Sequence, residues 1–166
     1  MEFSTQSVAP EKIKTAALAV GVYADAALTP AAQAIDQASQ GALQAVLKAE
    51  FKASHGSTLT LRSLPGVAAQ RVVLVGLGKV EELNARRYAA ALASAAGALA
   101  AFGNTEAAST LAEIEVNGTT LRQRARQIAM AAGYAAYRYD ATCSKSEGPA
   151  AVTLGKLTVA STRADA

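Results

Sequence analysis

Apolar and polar positions along the chain switch between two periods, and the switches mark the elements. Ile13 to Tyr23 is nearly unbroken, with Ala16-Ala17-Leu18-Ala19-Val20-Gly21-Val22 at its centre. Such a run predicts a strand covered on both faces. Thr29-Pro30 then has the form of a helix start, Thr as N-cap and Pro at the first helical position. Ile35, Ala38, Ala42, Leu43, Val46 and Leu47 follow at helical spacing, with Gly41 dividing the segment into one interrupted helix or two short ones. After a turn at His55-Gly56, Thr58 to Leu64 alternates, Leu59 and Leu61 against Thr60 and Arg62, as a half-exposed strand does. Pro65-Gly66 ends it.

Arg71 to Leu77 carries Val72-Val73-Leu74-Val75 without a polar break, and its composition places it at the sheet centre. Gly76-Leu77-Gly78-Lys79 leads out of it. Asn84 caps a long helix with a stripe at Tyr88, Leu92, Ala95, Leu99 and Phe102, stepping by four and three as a buried face should. Gly103-Asn104 closes that helix. Ala112 to Val116 alternates as a short strand and Asn117-Gly118 forms a turn. Thr119 or Thr120 caps a last long helix, with Leu121, Ala125, Ile128, Ala129, Ala132 and Ala136 facing inward. Ala141 to Gly155 is a polar loop, and Lys156 to Ser161 is a final strand. Strands alternating with helices, and apolar strands that need cover on both faces, predict a three-layer α/β/α domain. The short link from Leu64 to Arg71 makes the sheet mixed.

Composition refines this picture. Half of the 166 residues are apolar but only 5% are aromatic, and alanine dominates. Alanine favours helix and adds little bulk, so the helices should pack close. The formal charge of +3 is too small to imply a nucleic-acid partner. Cys143 is the lone cysteine, which excludes an internal disulfide and fits a reducing compartment. No secretory pattern opens the sequence, and no apolar run reaches the roughly 18 residues of a membrane span. The expectation is a soluble cytoplasmic domain that does not enter a membrane.

The candidate chemistry is thin. Gly76-Leu77-Gly78-Lys79 lies where phosphate cradles occur, yet Glu81 stands where a dinucleotide fingerprint needs a third small residue, and Val73 and Val80 break a Walker loop. Glu81-Glu82 would also repel phosphate, so a tight strand-to-helix turn is the better reading. His55 is the only histidine and sits in a turn expected to face solvent. Cys143 lies near Arg138 and Lys145, which would lower its pKa, but no base accompanies it. Neither Gly-x-Ser-x-Gly nor His-Glu-x-x-His occurs, and the carboxylates are scattered. Arg122, Arg124, Arg126 and Arg138 make the last helix basic, with Arg86 and Arg87 on the other long helix. Arg122 and Arg126 share a face at i and i+4. A solvated surface is the plain reading of these charges. Contacts to an anionic partner through Arg122, Arg126, Arg138 and Lys145 are the sharper one.

Three segments, in order, resemble the start of the two-metal leucine aminopeptidases. The first is Gly41-Ala42-Leu43-Gln44-Ala45-Val46-Leu47 with Phe51-Lys52 and His55-Gly56. The second is Arg71 to Lys79 with Glu81-Glu82-Leu83 and the Ala-rich helix. The third is Gly133-Tyr134 through Tyr137-Arg138-Tyr139-Asp140, before a Lys- and Ser-bearing loop. The resemblance implies a macro-domain-like N-terminal domain over residues 1–166, whose role is structural and in assembly. It implies a separate catalytic domain that holds two divalent metal ions, zinc or manganese, and removes N-terminal residues, often leucine, from peptides. That domain's Asn-Thr-Asp-Ala-Glu-Gly-Arg-Leu signature is absent, so no catalytic or metal-binding residue transfers to this chain. Relatives of this kind are homo-hexamers, and some bind DNA. Cys143-Ser144, standing where lysines are more usual, weakens the DNA role. Binding of an ADP-ribose-type ligand, by analogy with macro-like folds, is a further alternative.

Overall fold

The computed structural model describes residues 1–102, 106–136 and 154–162. Six strands form one sheet: β1 (Glu2–Gln6), β2 (Leu18–Val22), β3 (Thr58–Arg62), β4 (Arg71–Gly76), β5 (Glu106–Ser109) and β6 (Lys156–Ala160). Their spatial order is β1-β6-β5-β2-β4-β3. All neighbouring pairs are parallel except β3 on β4, which is antiparallel, so the sheet is mixed as expected. Among the described residues there are also four α-helices: α1 (Pro30–Ala38), α2 (Ala42–Ala49), α3 (Ala85–Ala101) and α4 (Leu121–Ala136).

Side-chain alternation on the inner strands divides the core in two. Ala17, Ala19, Val73 and Val75 point into a cluster with Tyr88, Leu92, Leu99, Ile128 and Ala132 of α3 and α4. Leu18, Val20, Val22, Val72 and Leu74 point to the other face, onto Ile35 of α1 and Leu43 and Leu47 of α2. Helices thus cover both faces, which is why β2 and β4 tolerate no polar residue at these positions.

The helix starts follow their sequences. Thr29 accepts a hydrogen bond from Ala32 N with Pro30 at the first helical position. Asn84 accepts one from Arg87 N at 2.9 Å. Thr120 caps α4 in a reciprocal box: Gln123 N donates to Thr120 Oγ1, and Thr120 N donates to Gln123 Oε1 at 2.8 Å. Between α1 and α2, Gln40 and Gly41 take left-handed φ of 55° and 84°, so the segment is two helices.

Three expectations need correction. Ala112 to Val116 is not a strand; β5 lies earlier, and Leu111–Glu113 is a 3-10 turn. Ala112, Ile114 and Val116 are nonetheless buried, so their period-two pattern records a turn pressed on the core. β4 is not central but penultimate, between β2 and the edge strand β3. A penultimate strand has partners on both edges and helices on both faces, so it needs the same apolar composition as a central one. β1 carried no signal because, as an edge strand with four of its five residues exposed, it has no face to bury. The first apolar strand is shorter than its apolar run, and Gly103-Asn104 and most of 141–155 lie outside the described residues.

The 3-10 turn at Leu111–Glu113 is tied at each residue to a different element. Tyr88 of α3 donates its hydroxyl to the Leu111 carbonyl at 2.9 Å. Arg124 of α4 donates Nε to the Ala112 carbonyl at 2.8 Å and Nη1 to the Thr119 carbonyl at 2.9 Å. The Glu113 carboxylate accepts from the backbone N–H and, at 2.7 Å, the hydroxyl of Thr162, just past β6. Arg124 and Glu113 are 5% and 7% exposed, so these bonds are shielded from water. Burial pushes the Tyr88 phenol well above its ordinary range, against a smaller opposing pull from Arg124.

Two outcomes follow. Val75 is fully buried, so Val75→Asp places a carboxylate in an apolar cluster at a cost of several kcal/mol; circular dichroism should show loss of the cooperative melt. An unfolded tyrosine ionises near pH 10. Because the folded Tyr88 phenol ionises higher, its contribution is complete below about pH 10 and is lost as pH rises beyond it. Melting temperatures between pH 8 and 12 should fall with pH in the parent chain and fall less steeply in Tyr88→Phe.

Candidate functional site

In open α/β sheets, ligands bind beyond the carboxyl ends of strands where the chain's winding reverses direction. Here that place lies at β2, since β2 leads through α1, α2 and the edge strand β3 to β4 on one side and β4 leads back through α3 to β5 on the other. β5 pairs with β2 only at Leu18 and Ala19 and then leaves it. The crevice opened by that departure is filled. A Cβ placed on Gly21 would lie 2.6 Å from Ile114 Cδ1, 3.0 Å from Leu77 Cδ1 and 3.1 Å from Leu111 Cδ2. Three buried apolar side chains therefore cover the end of β2, and a side chain at position 21 would have to displace them. The β2 carbonyls that β5 no longer meets are also satisfied. Ala19 O accepts from the N–H and hydroxyl of Thr110, and Gly21 O accepts from Thr29 Oγ1 at 2.7 Å.

The Gly76-Leu77-Gly78-Lys79 loop is spent in the same way. Gly76 N donates to Ser57 O, Leu77 N to Val22 O and Gly78 N to Ala53 O. An anion cradle needs such N–H groups pointing outward and unpaired. Gly76 is obligatory because a Cβ there would stand 2.1 Å from Ser54 O, and Gly78 has a φ of 73°. Packing against the 53–57 turn explains both glycines without a ligand.

His55 departs from expectation: it is half-buried, with Nε2 2.8 Å from the carbonyl of Arg87. A carbonyl only accepts, so Nε2 carries the proton, and the ring ties the 53–57 turn to the first turns of α3. Tyr23, just beyond β2, has its phenol pushed up by burial and then by the negative charge of Glu115. Among the described residues, no three His, Cys, Asp or Glu side chains converge where a metal ion could be held.

Of the basic residues, Arg122 and Arg126 lie exposed, one turn apart, on α4, and Arg86 is exposed on α3. Arg87 pairs with Glu82 at 2.6 Å. Arg124 belongs to the interior. The stripe Leu121, Ala125, Ile128 and Ala132 already marked the inward face, and position 124 falls on it by spacing; its charge obscured this. Arg138, Cys143 and Lys145 lie outside the described residues.

Comparison with known proteins agrees with this reading of the fold. The model of the cytosol aminopeptidase family, N-terminal domain, matches residues 19–146. A probable cytosol aminopeptidase of Bordetella petrii is 58% identical over 158 residues, covering 95% of this chain and 32% of the relative. One from Azoarcus is 42% identical over 142 residues, covering 85% of the chain and 28% of that relative. The chain thus spans about a third of the length of the curated relatives it matches. Among solved structures, a tomato leucine aminopeptidase mutant superposes with a TM-score of 0.75 at 21% identity, over 98% of this chain and 33% of that one. The macrodomain of Thermus aquaticus DarG superposes with a TM-score of 0.67 at 12% identity, over 96% and 97% of the two chains. These structural likenesses show a shared macro-domain-like fold. With the sequence match over most of its length, the chain belongs to the cytosol aminopeptidase family and corresponds to its N-terminal domain.

Proposed function

We propose that this chain is a non-catalytic structural domain of a cytoplasmic metallo-aminopeptidase, and that it positions and helps assemble a catalytic portion supplied elsewhere in the polypeptide. The observation that carries the reading is the sealed crevice. Leu77, Leu111 and Ile114 occupy the place where this fold class would hold a ligand, and the nearby Ala19 and Gly21 carbonyls and the Gly76, Leu77 and Gly78 N–H groups are paired internally. A site built this way contributes stability and has no group presented to a substrate. Among the described residues, no side chains converge to hold the zinc or manganese pair expected of the family. In the parent, residues beyond this chain would hold the metals and cleave the N-terminal peptide bond. A homo-hexamer is the assembly this reading favours.

The same observation argues against the ADP-ribose alternative, whose support is likeness of fold. The DNA alternative rests on Arg122 and Arg126. Two or three phosphate contacts give weak, steeply salt-dependent binding.

The purified chain is expected not to hydrolyse leucine p-nitroanilide with manganese or zinc added, and metal-dependent turnover would end this reading. Calorimetric titration with ADP-ribose should give no saturable heat. In the full-length parent, deletion of this region should alter the mass of the assembly measured by light scattering while the metal content of the remainder is retained.

A further inference from the structure

The outer surface of α3 and α4 has a composition that neither the core nor an ordinary solvated face requires. Arg122, Arg126, Met130 and Tyr134 follow one another at four-residue steps and form one exposed ridge of α4. Met130 is 50% exposed and Tyr134 75%. Beside this ridge runs a groove of about 560 Å³, lined by Ala89, Ala93 and Gly97 of α3 and by Gln127, Met130 and Tyr134, among others, of α4. Large apolar side chains at such exposure beside an apolar groove mark interaction surfaces.

The charge carried by the two helices has one sign, and of the carboxylates just ahead of α3, Glu82 is already paired with Arg87. Neither helix contains an Asp or Glu, and Arg86, Arg122 and Arg126 are exposed. Both helices return from the carboxyl ends of parallel strands, so they run parallel, and their N-termini with these arginines lie at the same end. The helix dipoles add positive potential there. Towards the other end the described residues of this face are Met130 and Tyr134 on one side and Gly97 on the other. Inside the groove, Gln127 Oε1 is shielded from solvent and accepts no hydrogen bond from the described residues.

We propose that this face is a docking groove for an amphipathic protein helix of about three turns. Its apolar stripe would lie along Ala89, Ala93 and Gly97, and its carboxylates would meet Arg86, Arg122 and Arg126. The span from Arg122 to Tyr134 is about 18 Å at 1.5 Å per residue, which sets that length. Charge complementarity selects this occupant. A second copy has no carboxylate on this face to offer, and duplex DNA would meet the arginines but leave Met130, Tyr134 and the groove against water. The proposal is independent of whether the chain lacks catalysis.

The test is an amide NMR titration of the intact chain with helical peptides that share one leucine stripe. Two carry Asp and Glu at one end or the other, and a third carries Asn and Gln in their place. One acidic peptide should bind about tenfold more tightly than the neutral one at low salt, as two or three surface ion pairs allow, and shift amides of α3 and α4. Arg122→Gln/Arg126→Gln should erase that preference and leave binding of the neutral peptide. A Cβ on Gly97 meets nothing within 4 Å, so Gly97→Leu should fill the groove, abolish binding and keep the melting temperature. Ala93→Glu, at an exposed position, gives a second block. Equal binding of acidic and neutral peptides would overturn the proposal. So would shifts elsewhere, no shift at millimolar peptide, self-association through this face in sedimentation, or tighter binding of duplex DNA at the same salt.

Discussion

The structure turns on the need to satisfy polar groups in the short turn from Leu111 to Glu113. An unpaired buried carbonyl or carboxylate costs more than a hydrogen bond returns, so a turn placed in the core must recruit partners or it will not stay there. This turn recruits them from α3, from α4 and from Thr162, two residues past β6. The three anchors fix the two helices of one face relative to each other and to the sheet. They also hold Leu111 and Ile114 over Gly21. Tyr88 and Arg124 are therefore better understood as internal struts than as a surface phenol and a surface charge.

This arrangement reconciles two facts that otherwise pull apart. The backbone resembles macrodomains closely enough to superpose over nearly the whole length of one. Sequence ties the chain to an aminopeptidase family. A fold is a scaffold on which sites are built or removed. Here the end of β2 is covered by side chains and its spare carbonyls are paired within the chain. Filling a crevice with apolar groups turns its volume into core.

Much of the fold was legible because period and capping chemistry agreed. The α3 stripe at Tyr88, Leu92, Ala95 and Leu99 and the caps at Thr29 and Asn84 lie as the sequence implies. Failures came where burial and secondary structure part company. Ala112 to Val116 alternates as a strand because alternate residues of a turn also reach the core, while β5, reading Glu106-Ala107-Ala108-Ser109, offers only small side chains as a signal. Edge strand β1 has little apolar content to read. The candidate site was legible only in part. The weakness of the Gly76-Leu77-Gly78-Lys79 pattern could be judged from spacing. The spacing of the α4 stripe puts position 124 on the buried face, but the partners that let an arginine lie there, like the pairing of Glu113 with Thr162, are contacts between segments that no local pattern encodes. His55 was misplaced for the same reason, since its partner lies 32 residues away.

The pairing of β1 with β6 has a consequence in time. Their register joins Glu2 to Lys156 and Gln6 to Ala160, and Ser4 meets Thr158 through their hydroxyls across 154 residues of sequence. Of the six described strands, β1 is made before the rest, and its one partner, β6, is made after them. While the intervening chain is made, at about 5–20 residues per second, Glu2–Gln6 has no sheet to join. Its exposed, mostly polar residues suit a segment that must wait in water without attracting other chains.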